Sequence, residues 1–194
     1  MRCFERSKKG IKFSMAKNKI KNYEIFSVIF TFIFGTILHF TFNLSSGNSI
    51  IALFSSINES VWEHLKLIFF PMLITTIIGH FYFKKGVPNF LCAKTTGIVS
   101  SMFFLISFFY TYTGVLGKNF AIIDISSFFL TTIIGEYIAY RLMINKFNCN
   151  NKISSIILIV IFICFVVFTY FTPNIGLFKD PVTKQYGIVR KYLK

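Results

Sequence analysis

The chain has 194 residues, of which 54% are hydrophobic, 27 are Phe and only 14% are charged, and its mean hydropathy is +0.64. That leaves too little polar surface to cover a soluble globule of this length, so the composition points to a lipid bilayer. The net charge of +14 does not read as a nucleic-acid footprint, because most of it flanks the apolar runs and no basic motif interleaved with aromatics stands outside those flanks.

A membrane helix needs about 20 mostly apolar residues to cross ~30 Å of hydrocarbon. Five stretches meet that condition, and the sequence predicts an all-α bundle of five transmembrane helices. The first covers Tyr23–Phe42 and has no Asp, Glu, Lys or Arg after Glu24. It is too long for the core of a signal peptide and reads as an uncleaved anchor. The second covers Ser60–Phe83 and ends at Lys84-Lys85; the third, Thr95–Gly117, carries no charge over its whole length. The fourth, Phe120–Met143, contains Asp124, Glu136 and Arg141, and the fifth, Ile153–Thr172, is again free of charge and stops before Pro173. Residues 1–22 are then a basic arm, 23–172 the helical domain, and 173–194 a tail.

Orientation follows from where Lys and Arg lie. Eight are in the first 21 residues, and Lys84, Lys85, Lys94, Arg141, Lys146 and Lys152 fall on the same side, whereas the loops on the other side hold only Lys118. The N-terminus is expected in the cytoplasm of a plasma-membrane, multi-pass protein, with the C-terminus outside. The tail's Lys179, Lys184, Arg190, Lys191 and Lys194 oppose this, but the last three lie far from the helix end, where the rule weakens. The arm is expected to lie against anionic lipid. Cys3, Cys92 and Cys149 fall on the reducing side and Cys164 within the fifth helix, so no structural disulfide is expected.

The stretch from Ile57 to Pro71, INESVWEHLKLIFFP, is unlike the rest. Ser60-Val61-Trp62-Glu63 has the S-x-x-E form of a capping box. Trp62 suits the headgroup level, and Pro71 favours a kink further in. Those roles leave Glu59, His64 and Lys66 unexplained. At 100° per residue Glu59, Glu63 and Lys66 share a helix face, so Lys66 either neutralises both carboxylates within the bundle or snorkels to the outer headgroups. His64 lies some 100° around from Glu63.

Other polar groups reach the same depth. His39 is about one turn from the end of the first helix, Asp124 opens the fourth, and Asp180 in FKDPVTKQYG folds back from the tail. His39, Glu59, Glu63, His64, Lys66, Asp124 and Asp180 are therefore the candidate ligand-binding residues. Two imidazoles with carboxylates suit Zn²⁺ or another borderline divalent ion with a position left for water, although no H-x-x-x-H or H-E-x-x-H spacing fixes two ligands on one helix. His80 and Glu136 form a second possible pair nearer the cytoplasm, and with the outer cluster they outline a possible proton path.

The pattern Asn58-Glu59-Ser60-x-Trp62-Glu63-His64-x-Lys66, with a membrane histidine before it and LFKDPVTKQYG after it, resembles an uncharacterised family of small bacterial multi-pass membrane proteins. The resemblance spans the five helices and the tail to about Tyr186-Gly187. It implies a bacterial plasma membrane and no known activity, substrate or cofactor. Four readings stay open: a protein with an outward-facing polar pocket for a small ligand or cation, a metal-dependent membrane hydrolase, a small transporter, and a non-catalytic membrane protein whose motif builds a rigid outer cap. The first is the expectation carried forward.

Overall fold

A computed structural model describes residues 2–83, 86–147 and 149–188, with the side chains described from residue 17 onward. Among these residues the fold is all-helical: α1 (Arg2–Leu44), α2 (Ser49–Ala52), α3 (Val61–Phe83), α4 (Phe90–Leu116), α5 (Ala121–Ile144), α6 (Asn151–Tyr170) and a 3-10 turn at Gly176–Phe178. Five helices are long and apolar enough to cross a membrane, the first of these spans being Lys17–Leu44.

Two boundaries differ most from the sequence reading. α1 begins at Arg2, so the basic arm and the first span are one helix. α4 begins at Phe90, right after Pro88 and Asn89, whereas the sequence boundary was drawn at Thr95 to exclude Lys94. A lysine marks the end of an apolar helix only when it has no counter-charge inside. Lys94 is wholly buried, and its partners are described below.

α3 is the central helix. Of its most apolar window 61% is buried, against 22–28% for the other four spans. Leu65, Ile68, Phe69 and Met72 of α3 meet Ile98 and Leu105 of α4 and Leu158 and Phe165 of α6 in one core. α1 and α5 close the other side. Two backbones approach closely where side chains are absent, as small residues permit in apolar bundles. A Cβ on Gly97 of α4 would lie 2.6 Å from the Gly135 carbonyl oxygen of α5, and one on Gly35 of α1 would lie 2.6 Å from the Leu67 carbonyl oxygen of α3. That second carbonyl is the one to which Pro71, lacking an N–H, offers no ladder bond.

The tail folds back on the end of the bundle that carries residues 45–60. Phe178 and Phe165 stack around Trp62, with ring centroids 4.7 and 4.8 Å away. Asn58 donates from Nδ2 to the Gly187 carbonyl oxygen at 2.7 Å, and Tyr170 donates from its hydroxyl to Ser49 at 2.8 Å. Trp62 is thus half-buried under aromatic rings.

At the opposite end residues 88 and 89 are clamped to residues 142, 147 and 151. Asn89 donates to the carbonyls of Leu142 and Phe147 at 2.9 and 3.2 Å, and Asn151 donates to Pro88 at 2.8 Å. This brings the Cα atoms of Cys92 and Cys149 to 6.3 Å, and the two form a disulfide. The expectation of no structural disulfide is corrected here. It rested on the assumed compartment, and a separation of 57 residues hid the juxtaposition that two helix hairpins create.

Candidate functional site

Three elements converge at the end of the bundle that carries the 45–60 segment. His39 sits five residues before the end of α1, Glu59 lies in the segment before α3, and His64 is in the first turn of α3. Glu59 Oε2 is 3.9 Å from His39 Nε2 and 3.6 Å from His64 Nε2. The two imidazole centroids are 5.3 Å apart. One ligand atom from each of the three residues lies within 4.8 Å of the others.

Local sequence explains this convergence. Asn58 Oδ1 accepts from Ser60 N at 2.8 Å and Ser60 Oγ accepts from Glu63 N at 3.4 Å, which caps α3. The turn ahead of that cap holds Glu59 off the helix, over the His64 side. His64 Nδ1 lies 2.9 Å from the Ser60 carbonyl oxygen. A carbonyl only accepts, so Nδ1 carries a proton and Nε2 is the nitrogen turned toward Glu59. A backbone carbonyl holding the far nitrogen is the usual support of a metal-binding imidazole. His39 Nδ1 is buried with no hydrogen-bond partner among the described residues.

The three residues help line a cavity of about 430 Å³ between α1, α3, α4 and α5. Its walls are apolar, chiefly Phe32, Phe40, Leu105, Phe109, Ile125 and Phe128. A volume of ~300–1,000 Å³ with a few convergent polar groups is typical of small-molecule sites. Asp124 lines the same cavity. Its carboxylate accepts from the Tyr112 hydroxyl and, at 3.3 Å, from Asn119 Nδ2. Neither partner was singled out from the sequence, where Tyr112 was one more aromatic in an apolar helix.

Glu63 and Lys66 belong to a different network. Lys66 is completely buried and donates to Glu63 Oε2 at 2.7 Å, Thr169 Oγ1 at 2.7 Å and the Ala52 carbonyl at 3.1 Å. Glu63 Oε2 also accepts from Ile57 N at 3.1 Å. The capping box is therefore half formed: Ser60 caps, while the Glu63 carboxylate turns inward to Lys66. Glu59 does not share a helix face with them, because it precedes α3, and Lys66 does not snorkel. Its three N–H donors tie α3 to α2 and α6. Asp180 turns one oxygen into its own turn, where Oδ1 accepts from Val182 N and Thr183 N at 2.7 and 3.1 Å, while Oδ2 is buried with no partner among the described residues. It is not among the residues lining the cavity, although Val182 is.

The expected pair of His80 and Glu136 is also corrected. Glu136 is buried against Lys94, which it binds together with Glu24, while His80 is only partly buried and packs its ring edge-on to Phe81. The sequence signal for this second network was present. Both of its carboxylates, Glu24 and Glu136, lie within apolar spans, and Lys94 is the basic residue just short of another.

Residues 12–188 match the model of a family of unknown function (DUF6512), and the chain belongs to that family. The resemblance to an uncharacterised family holds to that extent. No curated protein and no solved structure matches the chain.

Proposed function

We propose that this member of the family is a multi-pass protein of the cell membrane that binds a divalent transition-metal ion of the zinc class through His39, Glu59 and His64. The observation that carries the reading is the convergence of three ligand atoms from three separate segments within 4.8 Å, with His64 Nδ1 already engaged by a backbone carbonyl. Two imidazoles and a carboxylate satisfy a borderline divalent ion and leave one tetrahedral position for water or a ligand donor atom. Metal bonds of about 2.0–2.2 Å require the three ligand atoms to draw closer together than they stand here. With the basic flanks in the cytoplasm, this end of the bundle faces the outer side.

Metal-dependent hydrolysis is the second reading. It is favoured by the free coordination position and by Asp124 in the same cavity, where a carboxylate can take a proton from a metal-activated water. The apolar walls then suit an ester or amide carried by a lipid.

The test is metal analysis of the detergent-purified full chain, followed by cobalt substitution. A stoichiometric zinc-class ion and a tetrahedral cobalt spectrum, both lost in His39→Ala and His64→Ala but kept in Asp180→Asn, support the site. Absence of metal together with no cobalt spectrum in the wild type overturns it. Metal-stimulated release of fatty acid from lipid esters distinguishes the hydrolase from the binding protein.

A further inference from the structure

The second polar network of the bundle differs from the first in one count. Lys66 meets one carboxylate. Lys94 meets two. Its Nζ is 3.2 Å from Glu24 Oε2 on α1, 3.2 Å from Ser27 Oγ and in contact with Glu136 Oε2 on α5, and these use all three of its donors. Ser27 also donates to Glu136 Oε1, and Thr75 Oγ1 of α3 lies 2.7 Å from Ser27 Oγ. Tyr23, the remaining titratable neighbour, donates its hydroxyl to the Thr75 carbonyl at 2.5 Å. Lys94 is 0% exposed, Glu136 1% and Glu24 5%.

Charge balance decides what such a group contains. Lys94 with both carboxylates ionised leaves one uncompensated negative charge in the dry interior, where an unpaired ion costs several kcal/mol. Hydrogen bonding gives the same answer independently. Glu136 has a donor on each oxygen, but Glu24 Oε1 is buried with no donor among the described residues. Both carboxyl groups meet at the one Lys94 ammonium. One added proton neutralises the triad and turns the acceptor that lacks a donor into a donor, as in other carboxyl pairs that share a site.

We propose that Glu24, Glu136 and Lys94 form a proton-binding site, in which one exchangeable proton is shared between the two carboxyls and Lys94 is the fixed counter-ion. Release of the proton to water leaves the triad with a net negative charge, so occupancy of the site is linked to how tightly α1 packs on α4 and α5. The inference does not depend on the metal reading, because the two sites share no residue.

Infrared spectroscopy of the full chain in detergent or liposomes tests it. At neutral pH the wild type should show the carbonyl stretch of a protonated carboxylic acid that shifts on labelling with ¹³C-glutamate and in D₂O. It should disappear at alkaline pH while the helical circular dichroism persists. Glu24→Gln and Glu136→Gln should each abolish it, whereas Glu59→Gln and Glu63→Gln should leave it. The proposal is overturned by the absence of that band in the wild type, by a band insensitive to glutamate labelling, by one that survives both triad substitutions, or by one that persists until the helices unfold. The labelling and pH arms need only the wild type, so a variant that fails to fold does not spare the proposal.

Discussion

His64 Nδ1 is held 2.9 Å from the carbonyl oxygen of Ser60, four residues earlier in the chain. The bond fixes both the tautomer and the ring plane, so Nε2 is presented to Glu59 before any ligand arrives. A metal that binds the folded state alone should then stabilise the protein, by about 2.7 kcal/mol at a hundredfold excess over its dissociation constant. Thermal unfolding with and without zinc should show this rise in the wild type and none in His39→Ala or His64→Ala. Acidification should erase the rise as well, since protons compete for the ligand atoms. An equal zinc effect in all three proteins would assign the ion to another place.

Lys66 and Glu63 make a sharper test of burial. Lys66→Met leaves Glu63 as an uncompensated buried charge and should cost about 3–5 kcal/mol. Adding Glu63→Gln to it keeps an acceptor for Ile57 N and removes the charge, so the double variant should recover most of the loss. A single variant as stable as the wild type would return Lys66 to the snorkelling role.

The contact between α4 and α5 depends on two glycines. A Cβ on Gly135 would fall 1.9 Å from Ser101 Oγ and 2.5 Å from the Gly97 carbonyl oxygen. Gly135→Val should force the helices apart and destabilise the protein by at least the ~1–3 kcal/mol of ordinary overpacking. Gly114→Val, where a Cβ meets nothing within 4 Å, should be close to neutral in the same denaturation assay.

Orientation and the disulfide can be read in one experiment. In a cysteine-free background an impermeant thiol reagent should label Asn43→Cys on intact cells and reach Lys152→Cys only after permeabilisation, as the basic flanks require. The Cys92–Cys149 bridge lies at the Lys152 end, and cytosolic thiols are kept reduced, so bridge and orientation pull in opposite directions. Alkylation of the purified wild type should capture Cys92 and Cys149 only after reduction. Labelling of Lys152→Cys on intact cells would reverse the topology and put the bridge in an oxidising compartment.

Much of the architecture was legible because span length and charge-free runs depend only on local composition. The five helices follow from it, with shifts of a few residues at their ends except at the start of α1, which lies at Arg2 and not at Tyr23. Lys94 shows the limit: a charge in sequence looks like a boundary until the helices carrying Glu24 and Glu136 are placed beside it. The site was legible in part. His39, Glu59, His64 and Asp124 share one cavity, because polar residues at equal depth in neighbouring helices have few other places to go. The assignment of Glu63 and Lys66 to that group failed on a single helix-start residue. With α3 beginning at Val61, Glu59 leaves the helical wheel, and the pairing of charges changes with it. The cysteine bridge had no local signal at all.

The close approach of Gly35 to the Leu67 carbonyl lies one turn below the candidate site on both helices, since His39 follows Gly35 by four residues and His64 precedes Leu67 by three. The spacing of the two imidazoles is thereby referred to backbone touching backbone, with no compressible side chain between. Bilayers differ in thickness, and helices answer by tilting or bending. Such adjustments spread most at the helix ends and least at a contact of this kind. The histidine pair should accordingly keep its separation in thin and thick lipid alike, so ion affinity measured across liposomes of different acyl length should stay nearly constant even as the outer helices α5 and α6 change their tilt.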